Sequence, residues 1–232
     1  MAIDLRGVRT VLLPGTGSDD DYVARAFAAP LHSAGALLVA PRPEPSRLIE
    51  GYRAALDAAV HDGPIAVGGV SIGAAVSLSW ALRNPGHTVA VLAALPAWTG
   101  EPGSSPAALA ARYSAQQLRE HGLAATTAQM RASSPPWLAE ELARSWHSQW
   151  PDLPDAMDEA AGYVAPTCAQ LQGLTTPMGV VAASDDPIHP LDVGREWATA
   201  APRAALRTIT LDHLGANSAA LGTACLAALD EA

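Results

Sequence analysis

The chain has 232 residues, 49% of them hydrophobic and 16% charged, which suits one globular α/β domain with room for an inserted lobe. A formal net charge of -9 argues against nucleic acid as a partner, and because all fourteen cationic residues are arginine, lysine Schiff-base chemistry is excluded. No stretch reaches the roughly eighteen uninterrupted apolar residues of a membrane span, and no long apolar segment opens the chain, so neither a membrane partner nor a secretion signal is expected.

Val8 to Leu13 is an apolar strand candidate ending at Pro14-Gly15-Thr16-Gly17. Ser18 is placed as the cap of the next helix, with Asp19, Asp20 and Asp21 in its first turn, where carboxylates complement the helix dipole. That helix is expected to stop around Pro30 or Gly35. Ala36 to Ala40 is a second strand, and Pro41, Pro43 and Pro45 hold an extended loop before a helix from about Ser46 to His61. The apolar run Ile65 to Val67 enters Gly68-Gly69-Val70-Ser71-Ile72-Gly73, and helix formers follow as far as Arg83, stopped by Asn84, Pro85 and Gly86. Val89 to Leu95 is a fourth strand, continuous and apolar as a parallel strand covered on both faces should be.

After Pro96 roughly eighty residues pass before another strand candidate, and they read as helices. Ser105 caps a helix that starts at Pro106 and runs to Gly122, a short piece follows to Ala132, and Ser134 and Pro135 open a helix to Trp150. Trp146, Trp150 and Leu142 share one helical face, and further helical pieces flank Pro166. Met178 to Ala183 is the fifth strand, followed by Ser184-Asp185-Asp186-Pro187-Ile188-His189-Pro190. A helix from about Val193 to Ala200 leads to the sixth strand, Leu206 to Leu211. The loop Asp212 to Asn217 and a helix from about Ser218 to Asp230 complete the chain.

Strands alternating with helices give an α/β fold: a doubly wound, mainly parallel sheet of about six strands, with a helical cap inserted after the fourth. Residues 1–95 and 177–232 are expected to form the core and 96–176 the cap. Cys168 and Cys225 lie outside any C-x-x-C or histidine spacing, so two free thiols, a reducing cytoplasm, no metal site and no cofactor are expected.

Gly69, Ser71 and Gly73 make G-x-S-x-G between a strand and a helix, the spacing a sharp nucleophile-bearing turn requires. By itself the pattern is weak in a glycine-rich chain, and its position between strand and helix makes it specific. Hydrolysis by a serine also needs a base, a carboxylate to orient it and donors for an oxyanion. Asp185 or Asp186 follows the fifth strand and His213 the sixth, so these groups converge with Ser71 at the carboxyl edge of the sheet. The bland alternatives are turn formation before Pro187 for the aspartates and a surface loop for His213.

In this order of serine, acid and histidine the chain resembles the α/β-hydrolase superfamily, from Val8 to the last helix. The resemblance implies Ser71 as nucleophile, Asp186 as acid, since Asp186 to Pro190 matches the family's D-x-x-x-P loop, and His213 as base. It also implies the amides of Ile72 and Thr16 as the oxyanion hole. Two departures stand out: Pro14 replaces the usual histidine of an H-G loop, and Asp212 replaces the glycine before the catalytic histidine. His189, in the acid loop, and Trp98 are expected in the substrate pocket; His32, His61, His87, His121 and His147 are expected on solvated helix faces or ends.

A nucleotide-binding reading of Val11 to Gly17, with Arg42 on a 2′-phosphate, fails on Asp20, which takes the place of the third glycine, and on three aspartates facing a pyrophosphate. The implied activity is cleavage of a carboxylic ester or thioester of a small, largely apolar substrate through an acyl-serine. The alternatives are a non-catalytic binding protein on the same fold, or cofactor-free perhydrolysis or acyl transfer at the same residues.

Overall fold

The computed structural model describes residues 3–232. In chain order the elements are β1 (Arg9–Leu13), α1 (Asp20–Ser33), β2 (Leu37–Val39), α2 (Leu48–Ala59), β3 (Ile65–Val70), α3 (Ile72–Arg83), β4 (Thr88–Ala94), α4 (Pro106–Ser133), α5 (Pro136–Gln149), α6 (Leu153–Ala161), α7 (Cys168–Leu171), β5 (Met178–Ala183), α8 (Leu191–Ala200), β6 (Ala204–Ile209), α9 (Leu211–Ala216) and α10 (Ala219–Leu229). The six strands form one sheet in the order β2-β1-β3-β4-β5-β6, every pair parallel. With all strands parallel, the loops after β1, β3, β5 and β6 emerge along one edge.

Period-two alternation splits the apolar strands between two cores. Val11, Leu13, Ile65, Val67, Val91, Met178 and Val180 pack with α2, α3 and Trp197 of α8. Leu12, Ala66, Leu92, Val181 and Ala183 face the other way, onto Val23, Phe27 and Leu31 of α1 and Leu221 and Cys225 of α10. Both faces of the central strands are therefore dry, which is why β3, β4 and β5 read as unbroken apolar runs.

Between β4 and β5 the chain forms helices only, α4 to α7. Gly122, at φ 77° and ψ 172°, breaks α4 into two helical pieces, as its expected stop position requires. A small third core holds this segment together, with Ala115, Leu118, Trp146, Leu153 and Met157 buried in it. Trp150 does not join Trp146 there. Helix α5 ends at Gln149, Trp150 takes extended backbone angles, and its side chain is 41% exposed.

Other boundaries differ by a few residues. Asp19, not Ser18, caps α1, its carboxylate accepting from the Tyr22 amide at 3.0 Å, and the helix runs through Pro30 to Ser33. The segment after β6 is helical where a loop is expected: Thr210 caps α9 by accepting from the His213 amide. Among the described residues no helix is long and apolar enough to cross a membrane.

Candidate active site

β3 delivers Ser71 to the sheet edge at φ 54° and ψ −115°, a conformation that costs a non-glycine residue about 1–3 kcal/mol. The Ser71 amide still donates to the Ala94 carbonyl at 2.9 Å, so the ladder with β4 holds the residue in place. The flanking glycines are steric requirements. A Cβ on Gly69 would lie 2.3 Å from the Leu13 carbonyl oxygen and one on Gly73 2.2 Å from the same atom. Leu13 of β1 is thus the wall that fixes the G-x-S-x-G spacing.

After β5 the chain turns through Asp186-Pro187-Ile188-His189. Asp186 Oδ1 accepts from the amides of Ile188 at 2.8 Å and His189 at 3.2 Å, closing a tight turn on its own carboxylate. Its Oδ2 lies 2.8 Å from His189 Nδ1, and His189 Nε2 lies 3.0 Å from Ser71 Oγ. Burial would raise the Asp186 carboxyl, but the hydrogen bond and charge of His189, with the two amides, outweigh it and hold the carboxyl below its ordinary value. The Asp186 side chain is 8% exposed and that of His189 19%.

The histidine at Ser71 is therefore His189, and the expectation for His213 is corrected. Capping by Thr210 winds residues 211–216 into α9, whose Leu211 and Leu214, three apart, line the cavity at the site, while His213 points from another face and is exposed. Asp185 is also kept away: it is exposed, and its Oδ1 accepts from the Leu211 amide at 2.9 Å, holding the start of α9. One signal for His189 is present in the sequence, a histidine three residues beyond Asp186 in a turn bounded by Pro187 and Pro190.

Thr16 and Gly15 border the same cavity as Ser71. A Cβ on Gly15 would lie 3.6 Å from the Ser71 Cβ, so the two loops are in close contact. The Thr16 amide donates to no protein group among the described residues. The Ile72 side chain is buried in the core, and its amide lies in the first turn of α3, where amides lack intrahelical acceptors. Behind the loop, the buried Tyr52 hydroxyl donates to the Pro14 carbonyl at 3.1 Å.

The cavity has a volume of about 500 Å³. One side comes from the strand-end loops, the other from α4, α5 and α6. Trp98, 7% exposed, contributes to its wall while its indole N–H donates to the Tyr163 carbonyl at 3.1 Å. Helix α5 is tied to the opposite loop: Arg144 pairs with Asp19, and Gln149 donates to the Ser18 carbonyl at 2.9 Å. Among the described residues no group of three His, Cys, Asp or Glu side chains is placed to hold a metal ion.

No protein-family model matches the sequence, and no curated protein matches it. Solved structures do resemble it. A carboxylesterase structure from the ammonia-oxidizing thaumarchaeon Nitrososphaera gargenis has a TM-score of 0.71 at 17% identity, covering 90% of this chain and 83% of that one. The putative non-heme bromoperoxidase BpoC from Mycobacterium tuberculosis H37Rv has a TM-score of 0.69 at 19% identity, covering 98% and 96%. The enol-lactonase from Burkholderia xenovorans LB400 has a TM-score of 0.67 at 19% identity, covering 89% and 84%. With its six-stranded parallel sheet and flanking helices, this chain has the α/β-hydrolase fold.

Proposed function

We propose that the protein is a serine hydrolase that cleaves a carboxylic ester or thioester of a small, largely apolar substrate. The observation that carries this reading is His189, which reaches Ser71 Oγ with one ring nitrogen and Asp186 with the other. That arrangement suits general-base catalysis: Asp186 keeps the proton on Nδ1, leaving Nε2 free to accept one.

Ser71 Oγ attacks the substrate carbonyl carbon as its proton passes to His189 Nε2. The resulting oxyanion accepts from the Thr16 and Ile72 amides, aided by the positive end of α3. Collapse breaks the bond to the leaving oxygen or sulfur, which takes the proton from His189 and departs. Water then repeats the sequence on the acyl-serine, releasing the acid and restoring Ser71. The insertion between β4 and β5 acts as the cap that keeps this chemistry from bulk water. Free Cys168 and Cys225 suit a reducing cytoplasm.

The test is a fluorophosphonate label with site mapping. One label on Ser71, lost together with ester turnover in a folded Ser71→Ala protein, supports the reading. A folded wild-type protein that takes no label, or takes it elsewhere, overturns it.

A further inference from the structure

The lining of the largely apolar cavity includes a carboxylate and a phenol that the proposed chemistry does not use. Glu141 of α5 borders the cavity, its side chain 19% exposed. Its Oε2 accepts from Arg25 and, at 2.9 Å, from Arg144, while Oε1 has no hydrogen bond among the described residues and is not sealed within the protein. Tyr22 borders the same cavity, is 8% exposed, and its hydroxyl likewise has no partner among the described residues. Burial first, and then the charge of Glu141, push the Tyr22 phenol up to about 12, so it remains a neutral donor at physiological pH.

The charge balance narrows what this pair can take. Among the described residues no arginine lines the cavity, and the carboxylates in its lining are Asp186 and Glu141. A substrate carboxylate would have to give up its water with no arginine in the lining to pair with. An ammonium group has little to gain, because Arg25 and Arg144 already compensate Glu141. A hydroxyl fits both partners, donating to Oε1 and accepting from the tyrosine. We propose that Glu141 and Tyr22 form a specificity subsite for a hydroxyl group, remote from the scissile bond, on an otherwise apolar and uncharged ester. This deepens the hydrolase reading above and rests on it.

The test compares kcat/KM for ethyl hexanoate, ethyl 6-hydroxyhexanoate and monoethyl adipate, and for butyl and 4-hydroxybutyl acetate, so that the hydroxyl is offered on either half of the ester. An apolar pocket of this kind would disfavour the added hydroxyl by up to about 10²-fold. The subsite predicts that on one half the hydroxylated ester equals or exceeds its parent, and that the adipate is slower by at least about 10²-fold. Glu141→Gln and Tyr22→Phe should each lower the hydroxyl-to-parent ratio, by about tenfold for Glu141→Gln, where a charged acceptor becomes neutral. Binding of the corresponding N-ethyl amides and N-butyl and N-(4-hydroxybutyl) acetamides to Ser71→Ala, measured by calorimetry, reads the same preference without turnover. Rejection of the hydroxyl on both halves, a ratio unmoved in both variants, or equal acceptance of the adipate overturns the subsite. Failure of the fluorophosphonate label overturns the hydrolase reading instead, and the amide series still decides the subsite.

Discussion

His189 and Ser71 are 118 residues apart in the chain, yet the imidazole Nε2 lies 3.0 Å from the serine Oγ. The histidine's other partner, Asp186, is only three residues away, 2.8 Å from Nδ1. One loop after β5 therefore carries both the carboxylate and the imidazole. This predicts that His189→Ala lowers kcat by at least about 10⁴-fold, whereas the exposed His213→Ala stays within about twofold of wild type. Steady-state kinetics on one ester for both variants checks it, and a large loss at His213 alone would return the base to α9.

The two adjacent aspartates should separate in the same assay. Asp186→Asn removes the charged partner of His189 Nδ1 and should lower kcat by about 10⁴-fold. Asp185→Ala loses the bond to the Leu211 amide, a stability cost of about 0.5–1.5 kcal/mol seen by denaturant titration, with kcat little changed.

The sheet was legible because parallel strands buried on both faces are continuous apolar runs, and the serine turn because Gly69 and Gly73 must clear one carbonyl, that of Leu13. The histidine was not. Expecting it after the last strand followed chain order, while the structure uses a local turn in which Asp186 accepts two amides and presents His189. The Asp212 in front of His213, where the resemblance expects glycine, was the contrary sign. Likewise, helical spacing places Trp150 beside Trp146, but periodicity has no force beyond the last helical residue, Gln149.

The Asp186 carboxyl has a folded pKa below its ordinary value near 3.8. Its contribution to stability is therefore complete above the unfolded value and disappears as the pH falls through the depressed folded one. The melting-temperature gap between wild type and Asp186→Asn should be open above about pH 4 and close as the pH falls below that. A gap that stays open well below the ordinary carboxylate range would mean that the carboxyl is not the stabilised, ionised partner of His189.

Tyr52 is 1% exposed, and its hydroxyl holds the Pro14 carbonyl directly before the Gly15-Thr16 loop. Tyr52→Phe keeps the ring in the core and leaves that carbonyl unpaired, costing about 1–3 kcal/mol. If the loop supplies an oxyanion donor, misplacing it weakens the transition state more than the ground state, so kcat should fall while KM changes little. Equal changes in stability and KM, with kcat intact, would assign Tyr52 to packing alone.

Trp98 faces both the apolar core behind α3 and the cavity, and the two roles predict different outcomes. Burying each added methylene of an acyl chain is worth at most about 0.8 kcal/mol, so kcat/KM should rise up to roughly fourfold per carbon until the cavity is full. With about 500 Å³ available, acyl groups longer than acetyl are expected to be preferred. Trp98→Leu keeps an apolar side chain but removes the indole that donates to Tyr163, opening space where the chain ends. The optimum should then move to longer acyl chains, read as kcat/KM across a homologous ester series at a temperature where both proteins are folded. If the profile rises with chain length but is unmoved by the substitution, Trp98 serves the core only and chain length is selected elsewhere along α4 and α5, whereas a flat profile would mean that the cavity does not select chain length.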